Sequence, residues 1–205
     1  MSFGPDQQMA LVGLVRDAHP TEIMPRLRNL TAGSIRTKSR PDDPVTDADV
    51  AAEARLTTGI AGLWPDAAVI GEEAVSAHPE LLKGLDQHEL AFVIDPIDGT
   101  RNFANCLAMF GVIVAVLCRG QTVFGLVYDP VMDDLVAAVR GGGAWFARPG
   151  QEPQPLHSAP TGPSRRCSAS CRCTSFHVWK SHEPRNSSSI FCAPRHCGPR
   201  PMNIA

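Results

Sequence analysis

The stretch "VIDPIDGTRNF", residues 93–103, ends an apolar run with Asp95 and Asp98 three positions apart. The run "LAFVIDP" has the length and composition of a buried strand, which would deliver both carboxylates to one end of it. Two buried carboxylates held that close are costly without a positive partner. The pattern therefore predicts a cation site, although the two aspartates alone would also suit an Asx-type turn.

Further carboxylates lie where two other segments begin or end. Asp49 stands at the start of a predicted helix, and Glu72 and Glu73 follow the apolar run "AAVIGEE". Carboxylate and carbonyl oxygens are the ligands of hard cations, and Mg²⁺ is the usual choice where a substrate phosphate also binds. Acids converging from separate segments favour a metal site over a simple turn. Glu73 is better explained as a solvated neighbour, or as a group outside the ligands that touch the metal.

The helix that carries Asp49 is predicted over residues 47–63. Thr46 is a suitable N-cap, Asp49 follows at the capping-box position, and Pro65 closes the far end. Asp49 would then be either a partner of Thr46 or a site residue, and the pattern leaves both open. The apolar side of this helix is expected to comprise Val50, Leu56, Ile60 and Leu63.

The remaining pattern predicts an α+β layered domain. Residues 6–19 read as an amphipathic helix interrupted by Pro20, and residues 35–49 read as a polar loop. From Phe110 the chain becomes a β meander that ends in a flexible "GGGAWF". Helices followed by a run of antiparallel strands are typical of this fold class.

Length and composition exclude several classes of protein. The chain has 205 residues, of which 43% are hydrophobic, with a formal net charge of −2. No apolar run reaches the length of a membrane span, and the N-terminus lacks the features of a signal peptide. We therefore expect a cytoplasmic protein without a membrane partner.

The tail from residue 157 differs from the body. It holds seven basic residues against one acid, Glu183, and five of the seven cysteines, without a sustained period. Its Arg, Pro, Ser and Cys content is that of a disordered extension or of a shifted reading frame in a GC-rich gene. A zinc site is disfavoured because no cysteine pair has C-x₂-C spacing, and nucleic-acid binding is disfavoured because no aromatic interleaving occurs.

The motifs in the body resemble the inositol monophosphatase family of magnesium-dependent, lithium-sensitive phosphatases. The similar elements are "GEE", "DPIDGTRNF", the loop "TKSRPDDPVTDAD" and the meander "GLVYDPVMDDLVAAVRGGGAWF", in order over about residues 8–150. The resemblance implies a layered sugar-phosphatase-like fold, with a helix pair packed on a large antiparallel sheet. Residues 1–156 would be its metal-binding half, and the second α/β half would be missing.

The resemblance also implies a ligand set for two metal ions. Glu72, Asp95 and the Ile97 carbonyl would hold the first, and Asp95 and Asp98 would hold the second. The backbone N–H groups of Gly99 and Thr100 would bind phosphate oxygens, as the start of a helix does.

The same resemblance implies a catalytic arrangement. Glu72 and Thr100 would orient a metal-bound water for in-line attack on phosphorus, and Asp49 would pair with the Thr100 hydroxyl. Lys38 matches a family lysine in the loop, where the alternative is a lysine that is merely solvated. The substrate would be a small phosphorylated metabolite of the inositol monophosphate kind; histidinol phosphate and a bisphosphate nucleotide are the alternatives.

One family element is absent. No "W-D-x-A-A-G" stretch follows the meander, so the second metal would lack a carboxylate, and the resemblance is expected to stop near residue 157. We expect exposed apolar surface, low stability and little phosphatase activity from the chain as it stands. Two other hypotheses are a non-catalytic interaction module and a small protein built on the Cys/His tail. Family members commonly form homodimers, which the body alone does not predict.

Overall fold

A computed structural model describes residues 3–38 and 44–158. Its helices are α1 (Pro5–Ala18), α2 (Asp47–Leu63), α3 (Glu72–Ala77) and α4 (Thr100–Ala104). Its strands are β1 (Ile35–Thr37), β2 (Pro44–Thr46), β3 (Ala68–Gly71), β4 (Ala91–Asp98), β5 (Gly111–Cys118), β6 (Gln121–Asp129), β7 (Asp134–Val139), β8 (Gly143–Ala147) and β9 (Gln154–Leu156). This confirms the predicted α+β class. None of the described helices is both long and apolar enough to cross a bilayer.

One sheet dominates the described part of the chain. Strands β3 to β9 are hydrogen-bonded in sequence order, and every neighbouring pair is antiparallel except β3 and β4. The sheet is therefore mixed rather than wholly antiparallel. Because β3 and β4 run parallel, their carboxyl ends lie at the same edge, and each is followed there by a short helix.

Helices α1 and α2 cover one face of the sheet. Alternate residues of the strands point into this core, which is the period-2 pattern of a strand with one buried face. The fully buried members include Leu11 and Val15 of α1, Leu56 and Ile60 of α2, and Phe92, Val114, Phe124 and Tyr128 of the strands.

Among residues 3–38 and 44–158, the opposite face is covered near β3 and β4. A second, smaller cluster of Ile70, Leu85 and Ala91 lies there. Farther along, Val127 of β6 and its cross-strand neighbour Val136 of β7 are 48% and 42% exposed. Exposed apolar surface was expected from the sequence, and part of it lies on this face.

Three local predictions were wrong. The loop over residues 35–49 contains the β1–β2 hairpin, and the "GGGAWF" segment leads into β8 rather than a flexible end. The apolar side of α2 is rotated: Val50 and Leu63 are exposed, and Ala48 and Ala52 are buried instead. The predicted interruption at Pro20 is confirmed, because the α-helix ends at Ala18 and gives way to a π-helical turn, His19–Ile23.

A hydrogen-bonded cluster joins the end of α1 to the turn between β6 and β7. The buried Tyr128 hydroxyl donates to Asp133 Oδ1 at 3.0 Å and lies 3.0 Å from His19 Nδ1. Arg16 Nε donates to the same Asp133 oxygen at 3.0 Å. Burial, together with the bond to Asp133 and its charge, raises the pKa of Tyr128. Its hydrogen bonds involve none of the predicted site residues, so the cluster serves the fold.

Candidate metal centre

The predicted acidic residues gather at the edge where β3 and β4 end. Glu72 opens α3 directly after β3, Asp95 and Asp98 close β4, and Asp49 lies in the first turn of α2. The charges of Glu72, Asp98 and Asp49 all act on Asp95, and Glu72 also forms a hydrogen bond with it. The structure therefore brings the four predicted carboxylates together.

Asp49 performs both of the roles that the sequence left open. Its Oδ2 atom accepts hydrogen bonds from the backbone N–H and the hydroxyl of Thr46, which completes the capping box of α2. Its Oδ1 atom accepts from the Thr100 hydroxyl at 2.9 Å. Burial raises the pKa of Asp49, while these hydrogen bonds oppose the shift. The cap and the link to Thr100 use different oxygens, so they do not compete.

Asp95 and Asp98 share one side of β4 because the strand is irregular. Residues three apart in a regular strand face opposite sides. The pairing of β4 with β5 shifts register between Asp95 and Asp98, as a bulge does, and the strand continues to Asp98 rather than ending in a tight turn. Burial, followed by the charges of Glu72 and Asp98, raises the pKa of Asp95 to about 9.

The predicted phosphate-binding turn follows directly. Gly99 has φ +98°, and a Cβ atom there would stand 3.0 Å from the Met109 carbonyl oxygen, so the turn requires glycine. Thr100 begins α4, and its hydroxyl lies 2.9 Å from the Ile97 carbonyl as well as from Asp49. A hydroxyl has one proton, and the charged Asp49 is the stronger acceptor.

Lys38 is a positive group at the cluster. Its Nζ atom lies 2.8 Å from an oxygen of Glu72 and 2.8 Å from an oxygen of Glu73, and its side chain is 8% exposed. Burial alone would lower the pKa of Lys38, but the two carboxylates raise it above its usual value. The alternative of a solvated lysine is therefore wrong, and so is that of a solvated Glu73, whose burial raises its pKa to about 7.

Sequence reasoning missed Glu53. Its side chain is buried in the middle of α2, and its carboxylate accepts hydrogen bonds from the backbone N–H groups of Glu73 and Ala74. Burial raises the pKa of Glu53, whereas these two hydrogen bonds lower it. The available signal was its spacing, because Glu53 lies four residues after Asp49 and hence on the same helix face.

The oxygen atoms at this edge fit a hard divalent cation such as Mg²⁺. Asp95 Oδ1 is buried without a hydrogen-bond partner, and burial, followed by the charge of the neighbouring Glu72, raises the pKa values of Asp95 and Asp98. Among residues 3–38 and 44–158, no three acid, His or Cys side chains already stand in a metal-coordinating arrangement. Glu72 is engaged by Lys38 instead, so a metal ion would have to displace that ion pair.

The best-defined cavities of the described residues lie elsewhere. One of about 400 Å³ is lined by Glu89, Cys118 and Arg119 near the far end of β5, and a second lies beside Trp64. Neither includes any of the acidic cluster. The acidic cluster is the candidate functional site, because a small cation requires buried carboxylate oxygens without partners rather than a large empty volume.

Helices on one face of a mixed sheet, with acidic side chains gathered at the ends of two parallel strands, define an α+β protein with an oxygen-rich candidate cation site. The chain belongs to the inositol monophosphatase family, whose model matches residues 8–203. This match continues past residue 157, where we expected the resemblance to stop. Residues 159–205 lie outside the described part, so the predicted boundary at residue 156 and the proposed disorder or frame change of the tail stay predictions.

Individual relatives match about half of the chain. Nus factor SuhB of Haemophilus influenzae is 40% identical over 108 residues, which are 53% of this chain and 38% of that protein. Histidinol-phosphatase of Chlorobaculum parvum is 37% identical over 107 residues, which are 52% of this chain and 39% of that protein. The chain therefore spans less than two fifths of the length of these curated relatives.

A solved structure agrees with this picture. The IMPase of Thermotoga maritima is 27% identical to this chain and superposes with a TM-score of 0.60. The superposition covers 71% of this chain and 52% of that one. The similarity supports the layered fold over the described body.

Proposed function

We propose that this chain is the metal-binding part of a Mg²⁺-dependent phosphomonoesterase acting on a small phosphorylated metabolite. The observation that carries the proposal is the buried, unpartnered Asp95 Oδ1 beside Glu72 and Asp98, at the point where two parallel strands end. Family membership supports the same reaction class. A cytoplasmic location, lithium sensitivity and a homodimer are part of the proposal.

Each residue has a distinct task in this proposal. Glu72, Asp95 and the Ile97 carbonyl would hold one ion, and Asp95 and Asp98 would hold a second. Bound Mg²⁺ would supply charge neutralisation for the phosphoryl group and lower the pKa of a coordinated water. Lys38 would give up its ion pair with Glu72 and remain near as a loop contact.

Thr100 and Asp49 supply the proton path. The Thr100 hydroxyl donates to Asp49 Oδ1, which leaves the lone pairs of its oxygen directed elsewhere to accept a proton from water. Glu72 orients the same water from the other side. The backbone N–H groups of Gly99 and Thr100 face the phosphate oxygens, and the positive φ of Gly99 permits this close approach.

The substrate is a monophosphate of the inositol phosphate type, with histidinol phosphate as the alternative. The similar protein from Chlorobaculum parvum is named a histidinol-phosphatase, which favours including that compound. A bisphosphate nucleotide is a third candidate. Phosphate release from the three compounds, each at saturating Mg²⁺, distinguishes them, and we expect slow turnover because the chain spans only part of its relatives.

The test of the metal site is calorimetric titration with Mg²⁺. We expect wild-type binding that Asp95→Asn abolishes, with Glu89→Gln as the matched control, because Glu89 is an exposed acid paired only with Arg119. Loss of binding in the control, or undiminished binding in Asp95→Asn, contradicts the proposal.

A non-catalytic interaction module is the second candidate. The relative from Haemophilus influenzae is named a Nus factor, and the exposed valines on the sheet provide an apolar surface here. Magnesium binding without turnover of any of the three phosphates favours this candidate.

A further inference from the structure

Glu53 lies on α2 directly beneath the start of α3. Its Oε2 atom accepts a hydrogen bond from the backbone N–H of Glu73 at 2.8 Å, and its Oε1 atom accepts from that of Ala74 at 2.9 Å. These N–H groups belong to the first turn of α3, where a helix has no internal partners for them. The carboxylate thus acts as an N-cap supplied by another helix, because the capping position itself is Gly71, which has no side chain.

Gly71 is shaped to this contact. A Cβ atom at position 71 would stand 2.1 Å from the Glu53 carboxyl carbon and 2.4 Å from each of its oxygens. Its φ of −97° is open to any residue, so the glycine is required for space and not for backbone freedom. On its other side Gly71 is paired with Ile94 of β4. The residue before Glu72 is therefore fixed between a strand and a buried carboxylate.

The two buried acids of α2 each bind one of the two strand–helix junctions of the candidate site. Asp49 binds Thr100 at the junction of β4 and α4, and Glu53 binds the backbone at the junction of β3 and α3. They lie one helical turn apart on the same face. A single rigid helix face thereby sets the spacing between the two junctions that carry the acidic cluster.

The geometry points to Glu53 as a positioning residue that orients Glu72 for metal binding. Glu53 does so by accepting hydrogen bonds from the backbone N–H groups of Glu73 and Ala74, the two residues that follow Glu72. This inference rests on the proposed function, since it concerns the ligand that Glu72 would supply. Glu53 itself does not touch the metal. Loss of a group that orients a ligand typically weakens metal binding about 10-fold to 100-fold.

Three variants of the full chain test the contact. Glu53→Gln keeps the size of the side chain but turns an amide donor towards an N–H group. Gly71→Ala keeps the negative charge of Glu53, but the added Cβ atom pushes the carboxylate away from the backbone N–H groups that it binds. Glu53→Asp retains the charge but retracts it by one methylene group. Tyr128→Phe is the control, because it removes a partly buried hydrogen bond to Asp133 in which no residue of the acidic cluster takes part.

Calorimetric titration with Mg²⁺ and thermal melting without metal are measured for each. We expect Glu53→Gln and Gly71→Ala each to weaken Mg²⁺ binding about tenfold or more, with Glu53→Asp between them and the wild type. Tyr128→Phe should lower the melting temperature and leave the affinity unchanged. If the Glu53 and Gly71 variants melt earlier but bind Mg²⁺ as the wild type does, Glu53 is only structural and the inference fails. A flat titration of the wild type is a different failure, which removes the proposed function and this inference with it.

Discussion

Two sets of buried acids differ in what compensates their charge. On α2, every carboxylate oxygen of Asp49 and Glu53 accepts a hydrogen bond from a backbone N–H or a threonine hydroxyl. At the ends of β3 and β4, Asp95 keeps an oxygen without a hydrogen-bond partner and is surrounded by other acids. Burial is the first cause of the raised pKa in both sets. The first set is completed by the fold, and the second is where we propose that a cation binds.

The largest expected effect tests the completed set. Asp49→Ala removes the capping box of α2 and leaves the Thr46 N–H and hydroxyl unpaired in the core. We expect the free energy of unfolding to fall by about 3 kcal/mol, the sum of a lost cap and an unsatisfied buried group. Denaturant unfolding in chelator measures it.

The matched variant is Asp47→Ala, on the same helical turn. Asp47 is half exposed and paired with Arg36, so its loss should cost less than about 1 kcal/mol. Equal losses for Asp47→Ala and Asp49→Ala would show that burial of Asp49 does not matter.

The second prediction is a pH dependence of the metal-free protein. The pKa of Asp95 is raised to about 9 and that of Glu73 to about 7. A raised pKa contributes stability that is complete below the unfolded value near 4 and is lost as the pH rises towards the folded value. We expect the free energy of unfolding to fall by at least about 2 kcal/mol between pH 5 and pH 8. Unfolding curves across this range check the sign, and a rise contradicts it.

The third prediction separates Asp95 from the other acids. Asp95→Asn imitates the protonated side chain, so it should stabilise the metal-free protein at pH 8 by about 1 to 2 kcal/mol and change little at pH 5. The same unfolding curves, repeated on the variant, should be flatter than those of the wild type. An unchanged slope would assign the pH dependence to other groups.

The smallest effect concerns Lys38, the cation that the cluster already has. Lys38→Met removes the ion pairs with Glu72 and Glu73 and leaves the cluster more negative. Mg²⁺ binding should become roughly threefold tighter, which corresponds to less than about 1 kcal/mol. Lys38→Arg keeps the charge and should bind as the wild type does, and weaker binding by Lys38→Met would show that Lys38 assists the metal.

The sequence predicted the parts of the site that depend on neighbours in the chain. The Thr46 cap, the strand that delivers Asp95 and the start of α4 at Thr100 were all read correctly, because each has a local signal. The proximity of Asp49 to Thr100 was predicted from the family resemblance. The metal roles of these residues stay predictions.

The contacts that were missed join residues far apart in the chain. Glu53 reaches backbone groups 20 and 21 positions away, and Lys38 reaches an acid 34 positions away. Neither has a signal in the residues beside it, since a glutamate within a helix and a lysine in a loop are ordinarily solvated. The exposed Val50 was misassigned because small residues, Ala48 and Ala52, take the buried positions of α2 where the helix packs closely.

Tyr128 gives the folded protein an optical signature. It is the chain's one tyrosine. In an unfolded chain its phenol would ionise with the pKa of a free tyrosine side chain, about 10. In the folded state, burial and the bond to Asp133 keep the phenol protonated well beyond that pH. Phenolate absorbance in mildly alkaline solution therefore reports the unfolded fraction alone, through a hydrogen bond that involves none of the acidic cluster.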